Sequence, residues 1–338
     1  MQGLQNLGST CAINSLIQII CRTDHLRDII LNGEIPSGTL SAELKEILHM
    51  MHIDNHSLSP KKFVAHLYKH FEGIFRQGEQ IDIGELWMFL FDRLATELAH
   101  NTVAESTEVA QQSIDISNNQ QLASNESLVK QCMASMNKFN NNKTSLWLDT
   151  SQGIMMNIIV CNQCNNISYN FEPFISIQLD IPETEGGKLP SVAGMFRNYL
   201  KPHTCMDDWK CEKCNQCTSY TKSLKIWKMP KVLIFIIKRF ANVHIKNINP
   251  ISINKTLSIK KGSILSNMGT DYNYNCTSLG YHFGGLAAGH YCAVCKTGDK
   301  FILYDDLNIS VIQDEHLQNV FECNKDGYMI VYTTQHLQ

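Results

Sequence analysis

The apolar period of this chain changes once, near Ile154, and that change constrains the fold more than any single motif. Before it, apolar residues recur at helical spacing. Ile13 is followed by Leu16, Ile17, Ile19 and Ile20, so a helix is expected to start near Cys11. Leu40, Leu44, Ile47, Leu48 and Met51 repeat the pattern. A proline opens the helix expected over Pro60 to Phe71, which turns Phe63, Val64, Leu67 and Phe71 inward. Asp82, with Glu85 three residues on, gives the next helix a capping-box-like start. After the change, runs of β-branched and aromatic residues are bounded by Gly, Pro and Asn, which predicts strands. These cover Ile154–Val160, Phe171–Ile181, Ser223–Ile226, Val232–Ile237, Ile251–Ile259, Tyr272–Phe283, Tyr291–Lys296, Phe301–Tyr304 and Gly327–Thr333. Helices first and strands afterwards define an α+β chain. No period of 20–50 residues recurs, which excludes a repeat protein.

Between the two regimes, residues 101–145 are dense in Ser, Asn, Gln and Thr. They read as a loosely ordered surface insertion, with room for a short helix around Leu128–Met136.

Composition narrows the class. The chain has 338 residues, 43% hydrophobic and 18% charged, enough for a globular core. It lacks the unbroken apolar run a bilayer span requires, and no membrane partner is expected. A net charge of −3 argues against a general nucleic-acid binder. Its N-terminus does not read as an export signal. Thirteen cysteines without one point to a reducing compartment, so the expected location is intracellular, cytoplasmic or nuclear.

Two stretches carry chemistry. Ser9 and Thr10 are N-cap candidates for the first helix, which puts Cys11 in its first turn. Free N–H groups and the positive helix end there favour a thiolate, and the thiolate is the nucleophile. Asn6, on the turn leading in, offers a carboxamide donor to a developing oxyanion. A lone helical cysteine is more often packing than chemistry, so the case needs a distant base. Gly280 to Tyr291 supplies it: a small-residue loop runs into a strand that His290 starts. The turn Thr297-Gly298-Asp299 returns the chain along Phe301–Tyr304 to Asp305 and Asp306. A hairpin brings its open ends together, so Asp305 is expected beside His290.

Cys161-x-x-Cys164 and Cys211-x-x-Cys214 form two knuckles separated by 46 residues. Four thiolates suffice for a closed tetrahedral zinc site of structural type. Cys217 overlaps the second knuckle and stands as a substitute ligand. Cys292 and Cys295 form another such pair, but on a strand their side chains face opposite ways, which reads as packing.

Taken together, these stretches resemble the ubiquitin-specific protease family of papain-like deubiquitinating enzymes. Gly3-Leu4-Gln5-Asn6-Leu7-Gly8-Ser9-Thr10-Cys11 with Asn14-Ser15 looks like the family's Cys box, and Gln80-x-Asp82-x-x-Glu85 like its acidic-helix motif. Glu172-Pro173-Phe174 through Ile181-Pro182 resembles the strand after the first knuckle. Lys222, Ile226, Pro230-Lys231-Val232-Leu233 and Lys238-Arg239-Phe240 resemble the strand after the second. Tyr274, His282, Gly284 and Gly289-His290-Tyr291 look like the His box, and Tyr304-Asp305-Asp306 like the third catalytic element.

The resemblance spans residues 3 to about 333 and implies one thumb–palm–fingers catalytic domain over 1–338. The helical thumb would fall at about 1–100, the insertion at 101–150, the zinc-ribbon fingers at 155–230 and the palm at 231–338. It implies cleavage of the isopeptide or peptide bond after ubiquitin's C-terminal Gly-Gly. Cys11 is then the nucleophile, His290 the base and acid, Asp305 the orienting residue, Asn6 the oxyanion donor and Asp306 an assisting acid. Asp82, Glu85 and Tyr291 would contact the ubiquitin tail, with Gly284 and Gly289 in the channel wall. Cys161, Cys164, Cys211 and Cys214 would bind structural Zn2+. The implied partners are ubiquitin, ubiquitinated proteins and protein regulators. Because the chain begins almost at the Cys box, specificity is expected from this domain or a bound partner. Ala12, Ile81, Gly84 and Ile236 depart from the family pattern and bear on substrate preference. The rival readings are a protease for another ubiquitin-like modifier, a catalytically weak ubiquitin-binding module and a zinc-ribbon adaptor.

Overall fold

The first helix is amphipathic in sequence, yet the fold buries it on every side. In the computed structural model α1 (Cys11–Arg22) is buried from Cys11 through Cys21, including the polar Asn14, Ser15 and Gln18. The structure describes residues 2–53, 58–101, 125–183, 189–242, 245–260, 271–285 and 289–334. Around α1 stand α2 (Asp24–Asn32), α3 (Leu40–Ile53), α4 (Lys61–His70) and α5 (Ile83–Glu97). Each shows the solvent one face and closes the other over a shared core. Asp82 caps α5 with its Oδ1, which accepts from the N–H groups of Gly84 and Glu85. Thr10, by contrast, occupies the N-cap position of α1 without capping it. Its hydroxyl accepts from Leu7 N–H and donates to Asn6 Oδ1, so it serves the preceding loop.

The expected loose insertion contains regular structure. A short pair, β1 (His100–Asn101) and β2 (Lys143–Thr144), closes its base. Between them α6 (Asn125–Phe139) lays Leu128 and Cys132, with the half-buried Met136, on Ile154, Met156, Phe171 and Trp227. Those three residues are four apart, a helical stripe that the surrounding polar residues obscure. The helix expected around Leu128–Met136 is therefore longer than predicted and fixed by packing. Residues 102–124 of that stretch lie outside the described residues. In α7 (Leu146–Ser151) Trp147 is fully buried and packs tilted against Trp87 and Phe91 of α5.

Two sheets make up the rest. The strands β3 (Gly153–Cys161), β4 (Ile167–Phe174), β6 (His203–Lys210) and β7 (Cys217–Lys228) form an antiparallel sheet in the order β4-β3-β7-β6. The second sheet contains β5 (Ile177–Asp180), β8 (Val232–Lys238), β11 (Thr256–Ile259), β12 (Tyr272–Gly284), β13 (Gly289–Thr297), β14 (Lys300–Asp305), β15 (Asn308–Val311) and β16 (Gly327–Thr334). Its order is β15-β14-β13-β12-β16-β8-β5, with β11 beside β12. A ribbon of β9 (Phe240–Asn242) and β10 (Ile245–Lys246) stands apart, and α8 (Val192–Tyr199) and α9 (Asp314–Phe321) cover edges of the core.

The single strand expected over Phe171–Ile181 is in fact two. Its first half, β4, pairs antiparallel with β3, whereas β5 pairs parallel with β8 in the other sheet. At the break, the Ile175 carbonyl accepts from the Trp87 indole at 3.3 Å, tying the crossing to α5. Apolar content alone cannot reveal a strand that changes sheets. One face of the larger sheet meets α1, which crosses β12, β13 and β14. That contact sets the N-terminus of α1 against the start of β13.

Candidate active site

The residues before α1 are held by the end of β14. Gly3 lies so close to that strand that a Cβ would stand 2.6 Å from the carbonyl oxygens of Asp306 and Leu307, so only glycine fits. Leu4 N–H donates to the Asp306 carbonyl at 2.9 Å. Asn6 Oδ1 accepts from Gly8 N–H at 3.0 Å and Thr10 N–H at 3.2 Å, which shapes the loop. Its Nδ2 donates to Asp306 Oδ2 at 2.8 Å. The other carboxylate oxygen of Asp306 accepts from Asn14 Nδ2 at 2.7 Å. Asp306 itself is in the left-handed region, with φ 52°, where an Asp is among the few residues at ease.

Cys11 opens α1 and is 3% exposed. Burial pushes its thiol above the usual 9.0, against the N–H groups of Tyr291, Ala12 and Cys11 itself, which lower it; the Asp306 charge raises it further. The sequence-based expectation that the helix end yields a thiolate is thus corrected: desolvation wins over the dipole. Two residues carry the site from there. Tyr291 aims its backbone N–H at the Cys11 sulfur, and its neighbour His290 sits at the start of β13. His290 Nε2 lies 2.5 Å from Asp305 Oδ1, both about two-fifths exposed. A carboxylate only accepts, so Nε2 is the donor to Asp305.

Asp82 adds a second link between helices and sheet. While Oδ1 caps α5, Oδ2 accepts from the Tyr291 hydroxyl at 3.3 Å, and the Tyr328 hydroxyl reaches the same carboxylate. Glu85, one turn on, is exposed. The ring of His282 packs tilted against Tyr291 with centroids 4.5 Å apart. A Cβ on Gly289 would stand 2.1 Å from His282 Nε2, so glycine is required for the two strands to meet there. Gly284, with φ 82°, pairs with Gly289 across the hairpin; residues 286–288 of the Gly-rich run lie outside the described residues. The departures at Gly84 and Ile236 adjoin one another: a Cβ at 84 would lie 3.4 Å from Ile236 Cδ1.

Asn14 and Tyr328 have roles here that sequence reasoning did not assign. For Asn14 there was a signal, a polar residue one turn into a helix whose neighbours are mostly apolar. Tyr328 gave none, because it reaches Asp82 only through the folding of distant strands.

The two knuckles meet at the far end of the smaller sheet. Sulfurs of Cys161, Cys164, Cys211 and Cys214 all lie within 4.8 Å of one another. Cys161 and Cys214 are 4.0 Å apart, Cys164 and Cys211 3.7 Å. With Zn–S near 2.3 Å a tetrahedral site spaces its sulfurs about 3.8 Å, so the four fit a metal and are too far apart for disulfides. The knuckles match in detail. Asn165 N–H donates to the Cys161 carbonyl and Asn215 N–H to the Cys211 carbonyl, and these asparagines have φ 56° and 55°. Backbone N–H groups of Cys214 and Lys213 lower the Cys211 thiol to about 7. Cys217 begins β7, exposed and outside the cluster. Cys292 and Cys295 are buried in the core.

A cysteine at a helix start, met by the strand that a His–Asp pair begins, with a four-cysteine cluster on a separate sheet, defines the site of this mixed α+β fold. The profile of the ubiquitin carboxyl-terminal hydrolase family matches residues 2–332, and the chain belongs to that family. Ubiquitin carboxyl-terminal hydrolase Usp2 of Drosophila melanogaster is 27% identical over 98% of this chain and 34% of its own length. Ubiquitin carboxyl-terminal hydrolase 21 of Homo sapiens is 24% identical over 98% of this chain and 61% of its own. The chain therefore spans about one third to three fifths of these curated relatives. Among solved structures, a SAGA DUB module, Ubp8/Sgf11/Sus1/Sgf73 bound to monoubiquitin, superposes with a TM-score of 0.72. That match has 20% identity and covers all of this chain and 70% of the other, which shows a shared fold.

Proposed function

We propose that this chain hydrolyses the isopeptide or peptide bond after the C-terminal Gly-Gly of ubiquitin. The observation that carries the reading is the His290–Asp305 pair, 2.5 Å apart, next to the Tyr291 N–H that points at Cys11. Family membership and the ubiquitin bound in the structurally similar Ubp8 module support the choice of modifier.

In this reading the Cys11 proton passes to His290 as the sulfur attacks the Gly carbonyl carbon. Asn6 spends one amide hydrogen on Asp306 and aims the other at the oxyanion. His290 then returns the proton to the departing amine, the C–N bond breaks, and a thioester remains on Cys11. Water, deprotonated by His290, releases the ubiquitin carboxylate and restores the thiol. Asp305 holds the imidazole in the tautomer these transfers require. Asp82 and Tyr291 flank the path of the extended tail, which Gly284 borders, and Gly289 lets the His282 ring close beside it. Cys161, Cys164, Cys211 and Cys214 would hold Zn2+, which would clamp the two knuckles and take no part in the reaction.

Ubiquitin bearing a thiol-reactive electrophile at its C-terminus tests the assignment, with wild type, Cys11→Ala and Cys161→Ser side by side. An adduct with wild type that Cys11→Ala abolishes is the expected result. Binding of ubiquitin without an adduct would replace this reading by that of a binding module. Absence of both, with adducts on a probe made from a different ubiquitin-like modifier, would reassign the substrate.

A further inference from the structure

The ribbon of β9 and β10 belongs to neither of the two larger sheets, yet two of its side chains reach the end of β12. Lys246 carries an ammonium on a side chain that is only 8% exposed. It donates to the His282 carbonyl and, at 2.8 Å, to Asp326 Oδ1. Asp326 holds His282 as well, since its backbone carbonyl accepts the His282 N–H at 2.9 Å. From β9, the Phe240 ring meets the His282 ring edge to face, with centroids 5.3 Å apart. The ribbon thus fixes both the backbone and the ring of His282.

His282 stands against the hairpin that carries His290. It pairs with Tyr291 across β12 and β13, and its ring fills the space a side chain on Gly289 would take. Gly289 and Tyr291 flank His290, and the Tyr291 N–H is the group aimed at Cys11. By strand alternation the His290 side chain leaves the opposite face, so His282 acts on it through the backbone of its two neighbours. A close-packed interior transmits a displacement of that ring instead of absorbing it.

The charges agree with the packing. Burial, together with Lys246 and His290, keeps the His282 imidazole neutral, against Asp82 and Asp326, which favour its charged form. A neutral ring can lie among Tyr291, Tyr328 and Phe240 with no charge to solvate.

We propose that Lys246 is a positioning residue for the reaction: through His282 it holds Gly289, His290 and Tyr291 in place against Cys11. The inference rests on the proposed hydrolysis, but the reactivity of Cys11 reports it without any modifier present.

Lys246→Met keeps the aliphatic stem and removes the ammonium, and Phe240→Leu removes the ring contact. Each would be compared with wild type in cleavage of a fluorogenic ubiquitin amide and in alkylation of Cys11 by iodoacetamide from about pH 5 to 9, where unfolding curves show all three folded. In both variants kcat should fall about tenfold with KM held within about twofold, and alkylation at neutral pH should slow in parallel. In Lys246→Met the acid limb of both profiles should also move to higher pH, because Asp82 and Asp326 then act on His282 with one opposing charge fewer. In Phe240→Leu that limb should stay. A lowered unfolding midpoint with kcat, alkylation and acid limb as in wild type would overturn the proposal, and so would a rise in KM alone. Slower alkylation in the variants of a wild type that cleaves no ubiquitin would uphold the inference and remove the hydrolysis reading instead.

Discussion

Asp306 holds Asn6 at 2.8 Å, Oδ2 to Nδ2, across 300 residues of sequence. The same carboxylate takes Asn14 on its other oxygen, so one side chain ties the loop before α1, and α1 itself, to the end of β14. The orientation of Asn6 is therefore a tertiary property.

Asp306→Ala should lower kcat/KM for a fluorogenic ubiquitin amide about 10- to 100-fold, with the unfolding midpoint little changed, because Asn6 loses its anchor. Asp306 also raises the Cys11 thiol. Alkylation of Cys11 at fixed pH should consequently be no slower in the variant. A parallel fall in both rates would show that the residue acts on the nucleophile instead.

Metal analysis should find a single zinc per chain, lost on exchange of Cys161 or Cys211 for serine. Both cysteines are fully buried, so an uncompensated change there should also destabilise the sheet that contains β3 and β7. Hydrogen exchange resolved to those strands would detect it, and unaltered protection would argue against a structural metal.

His282 gives a pH signature. Burial, then the Lys246 ammonium, push its imidazole from 6.5 down to about 4. Between those values the unfolded chain binds the proton and the folded chain does not. Its contribution is complete above pH 6.5 and is lost as pH falls toward 4, by about 2–3 kcal/mol. Urea unfolding of wild type and His282→Gln across that window should show the slope reduced in the variant.

Two glycines a few residues apart should respond differently. At Gly289 a Cβ meets His282 Nε2 at 2.1 Å and the Gly285 carbonyl at 2.8 Å, whereas at Gly285 it meets nothing within 4 Å. Gly289→Ala should cost about 1–3 kcal/mol and slow turnover by displacing His290, its neighbour. Gly285→Ala should leave stability near wild type. Calorimetry of the pair checks the contrast.

Much of the molecule was legible in the residues themselves. The change of period near Ile154 predicted the order of helices and strands, because amphipathic spacing is local. The hairpin from His290 to Asp305 could be read from its turn, since a tight turn brings its own ends together. The cysteine spacing predicted both knuckles, and a helix start at Cys11 followed from the apolar run after it. All of these depend on residues near one another in the chain.

Tertiary structure decided the rest. It split Phe171–Ile181 between two sheets, gave Cys214 and not Cys217 to the cluster, and ordered α6 through Leu128 and Cys132. It also left the Cys11 thiol raised where the helix end alone suggested otherwise. The physical reason is common to them: desolvation, sheet membership and the partners of Asp306 are set by groups distant in sequence, which no local pattern encodes.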